Sequence, residues 1–345
     1  MKNYLKKIYK AAVMVVAIAG VVFMTSCEKV SPTGLLVTNS GTDDRVEMSL
    51  KYYREYIGNY GGVRFAPDED EYTFLVGADS HMTTDTTRMG EMLQNSLDNN
   101  DILCAHLGDI ADTKAEYYIA LAKLMDEYNR KYLEKNFFYD EETQKYYDYN
   151  IVGEKHFINE SSSRFPFYVT VGNHDITHNG WAMFSNIFHA SFFRVAVVVD
   201  NEAVDYFIFL DSANGTLGKY QISELDSDLF LNLSVDDSEM RTRNVFVFTH
   251  TNIFRPRKGQ FSSTYPREEL YYMLNKFNEW NAKIVFLGHV HKWDDREFGG
   301  VRYLKLDAMS ERNSPEPGDY LVRVHVKKDG GVSYERVHMN TTGKN

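Results

Sequence analysis

Cysteine is nearly absent. The 345 residues hold two, Cys27 and Cys104, and Cys104 sits inside the apolar run Ile102 to Leu107, where it reads as a small core residue. Positive charge is also short: 38 Lys and Arg stand against 49 Asp and Glu, a formal net charge of −11. That balance excludes the basic footprint of a nonspecific nucleic-acid binder. Long apolar runs are missing as well, because the uncharged stretch from Ala11 to Phe23 is too short to span a bilayer comfortably. No internal repeat or low-complexity block breaks the chain. What is present, 43% hydrophobic residues over this length, suffices for the core of one large domain or of a domain with insertions.

The amino terminus stands apart. Lys2, Lys6, Lys7 and Lys10 precede the apolar run, and Thr25-Ser26-Cys27 follows it. This resembles a bacterial lipoprotein signal, in which residues 1–26 are removed and Cys27 becomes the lipidated first residue, although Met24 stands where such signals usually carry Leu. An uncleaved anchor would equally predict export, so the expected location is a bacterial membrane, on its periplasmic or surface side. Removal of residues 1–26 strips four lysines and no acid, and leaves Cys104 without a disulfide partner. Residues 27–71 read as a Ser/Pro/Thr/Gly tether and N-terminal extension, with an aromatic patch from Tyr52 to Tyr60 that either packs on the domain or forms a short helix. The main folded domain is expected over 72–338 and a tail over 339–345.

Five apolar runs end in metal-competent polar residues. Phe165 to Val171 runs into Gly172-Asn173-His174-Asp175. Phe74 to Val76 leads to Asp79 and His81, Ile102 to Leu107 to Gly108-Asp109, Val245 to Thr249 to His250, and Ile284 to Leu287 to Gly288-His289-Val290-His291. Each run reads as a buried strand. Ligand sites in open α/β sheets lie beyond the carboxyl ends of strands, so residues far apart in sequence can converge there. Asp79, His81, Asp109, Asn173, His250, His289 and His291 then offer two carboxylates, one amide oxygen and four imidazoles without a thiolate. Such a set suits divalent or mixed-valence first-row metals better than a structural zinc finger or a calcium cage. Seven donors exceed the needs of one ion and suit two, the arrangement used for in-line displacement at phosphorus. Asp79 and His81, like His289 and His291, are two apart, so an extended chain would turn both members of each pair the same way.

Asp-x-His, Gly-Asp, Gly-Asn-His-Asp, a later His after an apolar strand, and Gly-His-x-His, in that order, resemble the calcineurin-like metallophosphoesterase family over roughly residues 72 to 325. The resemblance implies an α/β fold, a four-layer α-β-β-α sandwich of two mixed sheets flanked by helices. It also implies two transition-metal ions (Mn, Fe or Zn), one held by Asp79, His81, Asp109 and His291, the other by Asp109, Asn173, His250 and His289. By the same resemblance a bridging hydroxide attacks a phosphate ester, monoester or diester, while His174 protonates the leaving oxygen and Asp175 orients His174. Asp112 stands where purple acid phosphatases carry a metal-bound Tyr, which argues against that subgroup. The short remainder after His291 argues against nucleotidases with an added nucleoside-binding domain. A catalytically silent surface lipoprotein that binds a phosphate ligand is the alternative.

Elsewhere the chain reads as support. Helical spacing covers Arg88 to Asn99 and Lys114 to about Lys135, and strands cover Phe193 to Val199 and Tyr206 to Leu210. A closing hairpin joins Tyr320–Val326 to Val332–His338. The aromatic-rich insertion, about 114–164, is either a cap over the site or filling, with Tyr117, Tyr118, Tyr128 and Tyr132 sealing the helix. Asp211 reads as a support of the fold, and His178 and His189 as loop or packing residues. Arg255, Arg257 and Lys258, shortly after His250, would place positive charge over a phosphate if they are not simply a solvated loop.

Overall fold

The apolar runs of the sequence are strands, divided between two sheets. The computed structural model describes residues 41–56, 60–148, 156–157, 164–199, 203–235, 238–254, 265–310 and 312–341; Cys27, Arg255, Arg257 and Lys258 lie outside them. Helix α1 (Thr42–Tyr56) leads into β1 (Val63–Phe65), β2 (Glu71–Gly77), α2 (Thr87–Asp98), β3 (Leu103–His106) and α3 (Ala115–Asn136). The insertion follows as three short strands, β4 (Phe138–Asp140), β5 (Lys145–Asp148) and β6 (His156–Phe157), which pair antiparallel as a small separate sheet. Next come β7 (Phe167–Val169), the short α4 (Asn173–Ile176), α5 (Gly180–Phe188), β8 (Phe193–Val199), β9 (Ala203–Leu210) and α6 (Gly218–Leu225). A small hairpin, β10 (Ser234–Val235) and β11 (Ser238–Glu239), precedes β12 (Arg241–Thr249), α7 (Arg267–Glu279) and β13 (Ile284–Leu287). The chain closes with β14 (Asp294–Phe298), β15 (Val301–Lys305), β16 (Gly318–Lys327) and β17 (Val332–Met339).

One sheet has the order β1-β8-β9-β12-β13-β15-β14 and the other β17-β16-β2-β3-β7. Both are mixed. Within them, the strands that precede candidate ligands run parallel side by side: β2, β3 and β7 in the five-stranded sheet, β12 and β13 in the seven-stranded one. Parallel neighbours end on the same side, so five carboxyl ends deliver their loops to one rim of the sandwich.

The strands are buried on both faces, and alternation sorts their side chains between layers. Phe246 and Phe248 of β12 join Phe74, Phe207, Phe209 and Phe286 between the sheets, whereas Val245 and Val247 face Met273 and Phe277 of α7. Across four neighbouring strands Phe193, Phe209, Phe248 and Phe286 form a ladder, each in register with the next. Their ring centroids are 4.6, 4.5 and 5.0 Å apart and their planes lie within 14° of parallel. Such pairs add about 0.5–1.5 kcal/mol each beyond area burial. The outer face of the five-stranded sheet packs on α2, α3 and α5 through Leu75, Cys104, Met92, Leu121 and Phe184. Helices outside two packed sheets give the four layers expected.

One boundary differs from expectation. The folded body reaches back to Thr42, not to a start near Tyr72, since Val46, Leu50 and Tyr53 of α1 are buried and β1 pairs with β8. Charged residues Asp43, Asp44, Arg45 and Glu47 disguise the narrow apolar stripe of this helix. Its Arg45 is itself fully buried, paired with Asp211, a contact no local pattern reveals. Asp211 is therefore a fold support, as read. His189 packs by stacking on Tyr52, with centroids 5.0 Å apart.

Candidate metal centre

The donors sit on backbone that leaves the strands abruptly. Asp79, His81, Asp109, His289 and His291 all have positive φ, between 41° and 71°. A non-glycine residue held there costs on the order of 1–3 kcal/mol, and such strain gathers at functional sites. Close approach of two turns fixes it: a Cβ on Gly172 would lie 2.1 Å from the Asp109 nitrogen, and one on Gly108 would lie 2.6 Å from the Gly172 nitrogen. Only glycines let the turns after β3 and β7 touch.

Backbone amides aim the carboxylates. The His289 N–H donates to Asp79 at 2.9 and 3.0 Å, and the His174 N–H donates to Asp109 Oδ1 at 2.7 Å. Asp109 Oδ2 is left facing His250 Nε2 at 3.4 Å and His81 Nε2 at 3.8 Å. His250 Nδ1 lies 2.8 Å from the Leu107 carbonyl, which can only accept, so Nδ1 carries the proton and Nε2 presents a lone pair inward.

The donors fall into groups within ligand reach. Asp79, His81, Asp109 and His291 form one, and Asp109, His250 and His289 form another, with Asn173 Oδ1 3.0 Å from His250 Nε2. Asp109 belongs to both. The equal-spacing expectation fails in its geometry: His289 joins the second group and His291 the first, because left-handed backbone at both residues turns their rings apart. Nitrogen atoms face one another, His81 Nε2 to His291 Nε2 at 3.3 Å and His250 Nε2 to His289 Nδ1 at 3.2 Å. Converging lone pairs around buried carboxylates are what a cation would satisfy, so the residues fit metal ions at these positions.

Electrostatics agree. Burial alone would raise Asp109, yet the imidazoles of His250, His174 and His81 hold its carboxyl well below the usual carboxylate range. Asp79 is lowered in the same way, against burial, chiefly by His291 and His250. His289 is pushed down to about 4, first by burial and then by His250, and stays neutral as a ligand must.

His174 lies beside this cluster on the first turn of α4. Its carboxylate neighbour is Asp112, whose Oδ1 is 3.4 Å from His174 Nδ1 and 3.1 Å from His81 Nδ1. Against the cost of burial, Asp109 and Asp112 raise His174 to about 9. Asp175, expected to orient His174, does something else. It caps the turn, accepting Gly172 N–H at 2.8 Å on Oδ2, and Ile110 N–H at 3.1 Å and the Tyr118 hydroxyl at 3.1 Å on Oδ1. Burial and the Asp109 charge push it up to about 8. Asp175 thus ties the turns after β3 and β7 together, while Asp112 is the carboxylate beside the imidazoles of His174 and His81. The sequence motifs place Asp112 three residues after Asp109 but assign it no contact with His174, and helical spacing gives Tyr118 its buried packing but not its hydrogen bond to Asp175.

Comparison with known proteins bears on this geometry. The family model described as calcineurin-like phosphoesterase matches residues 72–293, more than half of the chain. No curated protein matches the sequence. Similar solved structures include a dimetal phosphatase from Danio rerio (11% identity, 79% of this chain and 99% of that one, TM-score 0.41). Others are GAP50, the anchor in the inner membrane complex of Plasmodium (11%, 79% and 90%, TM-score 0.39), and vacuolar protein sorting 29 from Cryptosporidium parvum (9%, 79% and 100%, TM-score 0.32). With the family's motifs at five strand ends, two packed mixed sheets and clustered Asp and His donors at one rim, this chain belongs to the calcineurin-like phosphoesterase family, a metal-dependent family of hydrolases.

Proposed function

We propose that this protein hydrolyses phosphate esters at a two-metal centre, one ion held by Asp79, His81, Asp109 and His291 and the other by Asp109, Asn173, His250 and His289. The sharing of Asp109 between two donor groups is the observation that supports this most. Bound manganese, iron or zinc would act as a Lewis acid on the phosphate oxygens and supply a water-derived nucleophile at neutral pH. The chain's own part is proton handling and position. Asp112 lies 3.4 Å from Nδ1 of His174, which leaves Nε2 to give its proton to the departing ester oxygen, a role worth about 10²–10⁴ in rate. Positive charge at the donors would bring His174 down from about 9 toward neutrality, where a general acid works best. Arg255 and Arg257 would meet the phosphate, and a lipidated Cys27 would hold the enzyme at the membrane after export. Labelling of the chain by a radioactive fatty acid, lost in Cys27→Ala, tests the anchor.

The activity is tested by manganese-dependent turnover of p-nitrophenyl phosphate and bis(p-nitrophenyl) phosphate, with Asp109→Asn as control. A preference for the diester, lost in the control, makes the protein a phosphodiesterase; a preference for the monoester makes it a phosphatase. Failure to turn over either ester with metal bound would refute hydrolysis and leave the ligand-binding lipoprotein.

A further inference from the structure

Most of the donors are aimed by backbone that leaves the five-stranded sheet or closely approaches it. His250 shares that support, its Nδ1 on the Leu107 carbonyl, and its own backbone has a second one. Its strand, β12, lies parallel to β9 with Thr249 opposite Leu210, so the next residues, His250 and Asp211, leave the sheet side by side. Ser212 then brackets the ligand on both sides along the chain. Its Oγ accepts the Thr249 hydroxyl at 2.9 Å and the Thr251 N–H at 3.0 Å, and its carbonyl accepts the Thr251 hydroxyl at 2.7 Å.

What fixes Ser212 comes from two helices. The Gln221 side-chain amide of α6 closes on the Asp211 backbone, donating to its carbonyl at 2.8 Å and accepting its N–H at 2.8 Å. From α1, Arg45 grips the Asp211 carboxylate with two parallel hydrogen bonds of 2.8 Å and reaches Asn214 Oδ1 at 2.8 Å. Both charged side chains are fully buried. Burying an ion pair is no efficient way to gain stability, since desolvation offsets much of the attraction, but a bidentate guanidinium pair fixes geometry closely. Its place one residue before Ser212 shows which geometry it fixes.

We propose that Arg45, Asp211 and Ser212 are positioning residues for His250, so that helix α1, outside the segment carrying the family's motifs, is part of the support of the metal centre. The inference rests on the reading of His250 as a ligand. The guanidinium holds residues 211–214, these hold 249–251, and the His250 ring is thereby presented toward Asp109 and Asn173. Outer partners of this kind typically change metal affinity by about 10–100-fold when removed.

The test is a titration of the metal-stripped full chain with Co²⁺, followed by visible absorption, for wild type, Arg45→Met, Ser212→Ala and Arg323→Met, with melting temperatures alongside. Arg323 supplies the control. It makes a comparable buried pair with Asp101, at 3.1 and 3.0 Å, away from the carboxyl ends that carry the donors. The expected result is that Arg45→Met and Ser212→Ala weaken one binding step at least tenfold and leave the other unchanged, whereas Arg323→Met lowers the melting temperature without moving either step. Should Arg45→Met fail to fold, Ser212→Ala, which removes one hydroxyl, decides alone. Unchanged Co²⁺ isotherms in Ser212→Ala, or an equal loss in Arg323→Met, would overturn the positioning role while leaving the metal centre standing. A wild type that takes up no Co²⁺ would overturn the metal reading itself.

Discussion

A single methyl group at Gly172 should cripple the site while the backbone torsions accommodate it. Gly172 has φ −99° and ψ 172°, a conformation open to alanine, so Gly172→Ala carries no left-handed penalty. Its Cβ would, however, fall 2.1 Å from the Asp109 nitrogen and 2.3 Å from Asp109 Oδ1. Ordinary contacts between heavy atoms lie near 3.5 Å, so the turns after β3 and β7 must separate by roughly 1 Å or more. Asp109 is shared by both donor groups, and the hydrogen bond from His174 N–H to its Oδ1 spans the same gap. Misplacement by about 1 Å costs on the order of 10² in rate, and overpacking costs roughly 1–3 kcal/mol in stability. The assay is kcat/KM on the better p-nitrophenyl ester, with metal content and melting temperature of the same preparations. The comparison is Gly300→Ala, where φ is +79° and nothing lies within 4 Å of the added Cβ, so only strain is introduced and turnover should hold. Wild-type turnover and metal content in Gly172→Ala would refute the view that contact between these turns sets the position of Asp109.

Three further outcomes follow from the structure. Asp112→Asn removes a charge from beside both His174 and the ligand His81, and should lower turnover of an alkyl phosphate, whose leaving oxygen needs a proton, by about 10² more than turnover of the p-nitrophenyl esters; equal losses on both would show that Asp112 acts through His81 and not through His174. His106 is fully buried with neither ring nitrogen partnered among the described residues, and burial pushes it from 6.5 down to about 3. The unfolded chain therefore binds this proton first, so stability falls as pH drops from about 6.5 toward 3; His106→Leu should flatten that fall in urea melts, and an unaltered slope would contradict it. Phe248→Ala removes the centre of the phenylalanine ladder and should cost about 3–5 kcal/mol, read from chemical denaturation; a loss under about 1 kcal/mol would mean that the ladder collapses without a cavity.

Much of the fold was legible because its signals are local. Helix α2, expected over Arg88 to Asn99, spans Thr87–Asp98, and the closing hairpin lies where Asp329-Gly330-Gly331 predicts a turn. The strands before Asp79, Asp109, Asn173, His250 and His289 read as largely apolar runs, with His106, Thr170 and Thr249 as exceptions, because they are buried on both faces. Helix α1 was obscured by its own charge, since Arg45 counts as a surface residue until Asp211 is placed beside it. The two-residue spacing of Asp79/His81 and His289/His291 predicts a strand's alternation, but positive φ at each residue takes them out of strand geometry. The family resemblance implies that Asp175 orients His174, whereas the turn of α4 directs its carboxylate back onto Gly172 and Ile110.

By itself the sequence determined which residues stand at the ends of buried strands and which chemistry they can offer, because hydrophobic runs, glycine turns and donor types are properties of neighbouring residues. The family resemblance of the motifs already implied how the donors divide around Asp109, but only the tertiary structure decided which carboxylate meets His174, and that a helix 166 positions from Asp211 braces the strand end beside His250. Those choices depend on registry between parallel strands and on the approach of two turns within van der Waals contact. No local pattern encodes either.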